Sequence, residues 1–326
     1  MANTLVTGGA GYVGSVCCAE LLRLGHSVTV VDDLSTGFRE AVPSGATFVQ
    51  LDIGDAVAIR QLAARSKFDA VFHFAAKALI PESVSNPGVF FQGNVASAVN
   101  MLEALRAAGI KNFVFSSSAA VYGAPETTPI DEDAAKRPVN SYGETKLIFE
   151  QILRWYASAY GWSVVAFRYF NAAGGTLELG ERHEPETHLI PILLQVAGRE
   201  RECFEIYGDD YRTPDGTCQR DFVHVLDIAN AHILALENAG QPGMRAYNIG
   251  AGTTYSVREV HREAERITGQ KVPVRVVARR PGDPAVLHAS PRRIMKDLGW
   301  KPQHSSLEEI LVSAWQWKQK QPERVR

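Results

Sequence analysis

The segment SYGETK places Tyr142 and Lys146 four residues apart. On a helix that spacing puts both side chains on one face. A free tyrosine, with a pKa of ~10, is a poor base at neutral pH. An adjacent ammonium is expected to lower that value and favour phenolate, the more so beside a second positive charge. Such a phenolate can take a hydroxyl proton while hydride leaves the same carbon. Among the ten tyrosines of the chain, Tyr142 alone has a lysine four residues further on. Ser118, closing the apolar run NFVFSSS, falls at the predicted C-terminal end of a strand, where ligands of parallel sheets bind.

A second chemical signal opens the chain. In TLVTGGAGYVGSV, Gly8, Gly11 and Gly14 form GxxGxxG between a predicted strand and a predicted helix. Glycines there let the chain turn and let a pyrophosphate approach the N–H groups at the positive end of the helix. A glycine-rich turn without a ligand is the alternative. Asp32 favours the nucleotide: it ends the second predicted strand about 20 residues on, where a carboxylate accepts from both ribose hydroxyls. It would also repel a 2′-phosphate, and no arginine precedes Arg39 in its neighbourhood. The reading is NAD rather than NADP, which supplies the second positive charge for Tyr142. Asp52, ending the third predicted strand, is placed to meet an adenine amino group or simply solvent.

The elements that position these groups alternate. NTLVTG, SVTVVD (to Asp32), TFVQLD (to Asp52), DAVFHFA (to about Ala75) and NFVFSSS (to Ser118) are nearly continuous apolar runs, as expected of strands buried on both faces. Helical patterns separate most of them, from Gly11 to Leu24, from Asn94 to Ala108 and from Tyr142 to about Tyr160. This rhythm predicts an α/β fold with a Rossmann-type, doubly wound parallel sheet. After SVVAFRYFN the texture changes: 172–188 and 208–218 are polar and turn-rich, and helices resume at 189–198, 225–238 and 256–268, with short strands near 246–249 and 273–277. Residues 1–170 are read as a nucleotide-binding domain with a return segment at 221–249, and 171–326 as a smaller α/β substrate domain. The terminal KQKQPERVR is expected to be a solvated end.

The 326 residues carry a formal net charge of −2, so nothing favours nucleic acid or an anionic membrane as partner. Four cysteines (Cys17, Cys18, Cys203, Cys218) show no CxxC pair and read as small buried hydrophobes of a reducing compartment. The first strand begins within a few residues of Met1, and no apolar run approaches a membrane span, which makes a cytoplasmic chain the expectation.

TGGAGYVGS, FSSSAAVYG and YGETK, in this order, resemble the extended short-chain dehydrogenase/reductases. RYFNAAG, ETHLIP, IYGDDYRTPDGTCQRDFVHVLDIANAH, YNIGAG and RRPGD extend the likeness over nearly the whole chain, toward the branch that inverts C4 of UDP-hexoses. The resemblance implies tightly held NAD, with Tyr142 as acid/base, Lys146 on the nicotinamide ribose and Ser118 on the sugar 4-hydroxyl. It implies further cofactor contacts from Tyr12, Val13, Asp33, Ile53, Phe74, Asn94 and Tyr169, besides Asp32 and Asp52. For a UDP-sugar it implies Asn171, Arg220, Arg280 and Asp283 at the diphosphate and ribose, and Leu189 and Tyr207 around the uracil. Paired arginines suit a diphosphate because a guanidinium binds phosphate oxygens bidentately. Leu287 aligns with the position that limits sugar size, and being neither tyrosine nor cysteine it leaves N-acetylated sugars and pentoses open. Lys77 stands one position early relative to the family's cofactor lysine and is left outside the site. The family also implies a homodimer through the helices around 94–108 and 141–160.

Other chemistries fit less well. Dehydratases of the family carry an acidic pair after the active-site residue, where this chain has Ala119 and Ala120. A non-enzymatic NAD sensor would be expected to lose the tyrosine–lysine pair, and a simple dehydrogenase is distinguished by net NADH release. In HEPETH, His183 and His188 stand five apart with Pro185 between them, which is not the helical pair of a zinc protease. That stretch is read as a loop beside the uridine, His73 and His224 as structural histidines, and no metal is expected.

Overall fold

The computed structural model describes residues 1–280 and 282–321. Thirteen strands run along the described chain: β1 (Asn3–Thr7), β2 (Ser27–Asp32), β3 (Thr47–Gln50), β4 (Ala70–His73), β5 (Asn112–Ser118), β6 (Ser163–Tyr169), β7 (Asn171–Ala173), β8 (Phe204–Tyr207), β9 (Gln219–His224), β10 (Gly243–Ile249), β11 (Thr254–Ser256), β12 (Val274–Val277) and β13 (Val286–Leu287). The helices are α1 (Tyr12–Arg23), α2 (Ala56–Ser66), α3 (Ile80–Ser85), α4 (Pro87–Phe91), α5 (Ala98–Ala107), α6 (Ser141–Tyr160), α7 (Leu189–Ala197), α8 (Val225–Glu237), α9 (Val257–Thr268), α10 (Arg292–Leu298) and α11 (Leu307–Lys320).

Seven strands form one parallel sheet in the order β10-β6-β5-β4-β1-β2-β3. The apolar runs explain it. Every residue of β6 is buried, as is every residue of β2 after Ser27, because helices cover both faces. One face packs β-strand residues such as Val30 and Phe72 against Val16 and Leu21 of α1 and Ile228 of α8. The other packs Val71, Phe113 and Phe115 against Ile59 of α2, Leu102 of α5 and Phe149 of α6. Sequence order reverses direction between β1 and β4, and that switch point opens a crevice at the strands' C-terminal ends.

Beyond β6 the chain builds a smaller lobe, with β9 paired to antiparallel β11 and parallel β13 and β7, and a separate parallel pair β12-β8. It then returns: α8 packs against α1, and β10 lies beside β6 with Ile249 opposite Tyr169. The return starts at α8, since β9 belongs to the smaller sheet. Capping fixes the helix starts. The Asp55 side chain accepts from Val57 and Ala58 N–H, Asn140 accepts from Gly143 N–H, and Ser256 with Glu259 forms a capping box.

Several element boundaries differ from the sequence reading. β3 stops at Gln50 and β4 at His73, two residues short of the expected ends, because the chain turns away to line the crevice. The expected helix 94–108 opens instead with a wider π turn over Gln92–Ser97 before α5 begins. Such turns concentrate at functional sites, and buried Asn94 sits in this one. Among the described residues no helix is long and apolar enough to cross a membrane. The expected solvated end falls partly outside the described residues, which stop at Gln321.

Candidate active site

One cleft of about 1420 Å³ runs from the β1–α1 turn to the smaller lobe. All the site residues expected from the sequence line it: Gly8, Gly11, Tyr12, Val13, Gly14, Asp32, Asp33, Asp52, Ile53, Phe74, Asn94, Ser118, Tyr142, Lys146, Tyr169, Asn171, Leu189, Tyr207, Arg220, Arg280, Asp283 and Leu287.

At the sheet end, the glycines have separate reasons. Gly8 has φ +77°, and a Cβ there would lie 2.4 Å from Ala75 N. A Cβ on Gly14 would lie 2.2 Å from the Gly8 carbonyl oxygen, so the turn and the first helical turn are in backbone contact. α1 starts at Gly11 with no side-chain cap. Its first N–H groups are therefore available to an anion at the positive helix end. Asp32 accepts from Ala10 N–H (3.0 Å) and Leu34 N–H (2.9 Å), which aims its carboxylate along the crevice. Burial raises its pKa above the ordinary value, with the two backbone bonds opposing. An uncapped helix start, a close-packed glycine turn and a ribose-type carboxylate fit a dinucleotide.

Lys77, excluded on its position in sequence, lines the same cleft. Its Nζ donates to Ser35 Oγ (2.9 Å), and its backbone N–H donates to Asn94 Oδ1 (2.8 Å). Asn94 in turn donates to Lys77 O and to Thr145 Oγ1 on α6, tying the lysine's turn to the tyrosine helix. Lys77 therefore belongs among the cleft residues; a one-residue offset in a loop is absorbed by the turn that Asn94 holds.

The cleft floor is the N-terminal part of α6. Lys146 Nζ donates to Ser116 O (2.7 Å) and lies 5.7 Å from the centre of the Tyr142 ring. Burial lowers the lysine to about 7, with Glu150 opposing. Burial raises the Tyr142 pKa, and a hydrogen bond with Ser118 opposes that rise. Beneath the floor, Glu150 and Arg168 form a buried, bidentate pair (2.6 and 2.9 Å). Ser117 Oγ donates to Glu150, and Arg168 donates to Tyr122 and to Glu132 O. This network locks β5, α6 and β6 together under Ser118, Tyr142 and Lys146.

At the far end, Arg220 on β9 is paired with Asp283 (2.5 Å), and the Arg280 guanidinium stacks 3.8 Å from the Tyr207 ring centre. Asn171 donates to Asp221 O, and Leu189 begins α7. Leu287 packs against the cluster of Ala119, Val121 and Tyr122 just behind Ser118. Asp221, which sequence reasoning passed over, is buried and accepts from Ala251, Gly252 and Ala289 N–H. Burial pushes it up to about 6 against those bonds. It fastens two loop segments, 251–252 and the turn at Ala289, behind Arg220.

His73 and His224 are satisfied structural groups. His73 Nδ1 meets Thr7 Oγ1 (2.7 Å) among Phe113, Phe115 and Phe149, and His224 bonds Ser313 Oγ and Leu226 N–H. The loop before α7 is different. Glu181, His183, Glu186 and His188 converge, with one ligating atom from each within 4.8 Å of the others. Burial would lower both histidines, but the carboxylates outweigh it, raising His183 to about 9 and His188 to about 10. The helical-pair rule missed the group because its spacing, ExHxxExH, closes only in a loop.

Residues 4–250 match the sequence profile of the NAD dependent epimerase/dehydratase family. The chain belongs to this family. The UDP-glucose 4-epimerase of Corynebacterium glutamicum is 47% identical over 311 residues, covering 95% of this chain and 94% of that protein. The UDP-glucose 4-epimerase of Brucella ovis, solved in complex with NAD, superimposes with a TM-score of 0.93 at 45% identity, covering 97% and 98% of the two chains. That of Bifidobacterium longum, solved with NAD+ and UDP, gives 0.93 at 34% identity, covering 98% of each. Both the parallel sheet and the smaller lobe of this family member are thus shared with solved epimerases.

Proposed function

We propose that the chain interconverts the C4 epimers of a UDP-hexose, UDP-glucose and UDP-galactose, with NAD held throughout the cycle. The observation that carries this is the position of Tyr142 and Ser118 between a dinucleotide crevice and an arginine-bearing lobe in one cleft. Gly8, Gly11, Tyr12, Val13, Gly14, Asp32, Asp33, Asp52, Ile53, Phe74, Lys77, Asn94, Lys146 and Tyr169 would hold NAD. When bound, NAD supplies the hydride acceptor and donor for C4, and its positive ring.

The chain's residues do the rest. Ser118 orients the 4-hydroxyl and Tyr142 takes its proton as phenolate, then returns it. Lys146, tethered to Ser116 O, is positioned beside the tyrosine to favour its charged form. Arg220 and Arg280, with Asn171, Asp283, Leu189 and Tyr207, anchor the UDP. The 4-keto sugar then turns about its diphosphate linkage, exposing its other face to the returning hydride. The division at about residue 170 serves this: residues 1–170 with the segment that returns from α8 through β10 would hold the cofactor, and most of 171–326 would hold the nucleotide. Leu287 beside Ser118 is the residue that would set tolerance for N-acetylated sugars.

Replacing Tyr142 by Phe is expected to cut conversion of UDP-galactose to UDP-glucose by about 10²–10⁴-fold while the purified protein retains its NAD. Undiminished conversion would remove the assigned base, and net NADH release with UDP-sugar would favour a dehydrogenase. Four free cysteines accord with a cytoplasmic enzyme. A homodimer through α5 and α6, with the neighbouring α4, would cover exposed Phe91, Trp155 and Tyr160. Sedimentation at the mass of one chain would count against it.

A further inference from the structure

We propose that Glu181, His183, Glu186 and His188 form a site for one divalent transition-metal ion of the zinc type, which pins the loop before α7. The donor set is two imidazole nitrogens and two carboxylate oxygens, a combination that suits Zn²⁺ and its neighbours in the series. All four come from one eight-residue segment, so an ion would close only small chelate loops.

The spacing is close to what a tetrahedral ion needs. His188 Nδ1 lies 2.8 Å from Glu186 Oε1 and 2.9 Å from Glu181 Oε1, while His183 Nδ1 lies 3.3 Å from Glu181 Oε1 and 3.8 Å from Glu186 Oε2. Ligand atoms bonded at ~2.0–2.1 Å around a tetrahedral zinc are separated by about 3.3 Å, within the range of these contacts. A second observation points the same way. The His183 Nδ1 atom is enclosed by protein and, though 3.3 Å from Glu181 and 3.8 Å from Glu186, makes no well-aligned hydrogen bond to either. Once its ring proton is released to solvent, that nitrogen has a lone pair placed to make a coordination bond. Two carboxylates supply a charge of −2, which one dication balances when it displaces a ring proton from each histidine. Outer contacts orient one ligand: the N–H groups of Thr187 and His188 donate to Glu186 Oε1, leaving Oε2 toward the cluster, while Trp317 Nε1 and Arg201 donate to the backbone carbonyls of Glu181 and Glu186 and hold the segment itself. Such contacts fix ligand orientation.

The segment lies where pinning has an effect. Arg182 stacks 3.8 Å from the ring centre of Phe38 near the dinucleotide end, while Trp317 belongs to α11 of the smaller lobe. Leu189, next to His188, opens α7. An ion here would hold one loop against both halves of the cleft while leaving Tyr142 and Lys146 untouched.

The test uses the full chain with its NAD and with any affinity tag removed. After chelator treatment and dialysis it is titrated with Zn²⁺ and, separately, with Co²⁺. The expected result is one ion per chain, a visible Co²⁺ spectrum of tetrahedral type, and a rise in melting temperature with Zn²⁺. His183→Gln and His188→Gln should each weaken zinc binding by about 100-fold or more with the circular dichroism unchanged. Absence of binding by the unaltered chain, a six-coordinate Co²⁺ spectrum, or equal binding by the variants would overturn the site. If the variants fail to fold, the stoichiometry and Co²⁺ spectrum of the unaltered chain still decide it.

Discussion

Two regions of the cleft gather buried charge in opposite ways. Beneath the floor, Glu150 and Arg168 satisfy one another bidentately, and Ser117, Tyr122 and Glu132 O complete the network. Two buried histidines of the same lobe are pushed toward the neutral form: burial lowers His73 to about 3, with Lys146 adding to it, and lowers His232 to about 4. At the rim, Glu181 and Glu186 instead face two histidines whose pKa they raise, and one ring nitrogen lacks a well-formed hydrogen bond. The difference separates a closed network, which gives a fixed platform for Tyr142, from an open one that still has bonding capacity to offer.

The largest expected effect comes from opening the closed network. Arg168→Leu leaves Glu150 buried without its partner and should cost about 3–5 kcal/mol of unfolding free energy, read from urea denaturation. The double variant Arg168→Leu, Glu150→Leu should recover most of that loss, since no uncompensated charge remains. A double variant as unstable as the single one would show that the pair is not self-contained.

A smaller effect follows from pH. His73 and His232 have folded pKa values below the unfolded value of ~6.5. The stability they contribute is therefore fully present above pH 6.5 and is lost as pH falls toward 4 and 3, because the unfolded chain binds protons first. Between pH 7 and pH 5 each should cost about 2 kcal/mol. His232→Gln should reduce the pH slope of the urea midpoint by about that amount, and an unchanged slope would mean the ring is not the titrating group.

Much of this architecture was legible because its causes are local. Continuous β-branched runs marked the parallel strands, and Gly8, Gly14, Asp32, Tyr142 and Lys146 carried their chemistry in their spacing. What was illegible depended on tertiary placement. The sign of the Tyr142 shift turns on how deeply α6 is buried, and Lys77 reaches the cleft through a turn held by Asn94. The Glu181–His188 group has no helical or strand period, and Asp221 is anchored by amides from segments 30 to 68 residues away.

The arrival of β10 from beyond the smaller lobe has a consequence for biogenesis. A nascent polypeptide that has emerged only as far as residue 170 leaves the outer edge of β6 without its neighbour, because β10 pairs along all seven residues of that strand. An open strand edge invites wrong partners, so the large parallel sheet cannot be finished before the smaller lobe has largely been synthesised. The two halves are interleaved in the gene, and neither should survive as a separately expressed fragment.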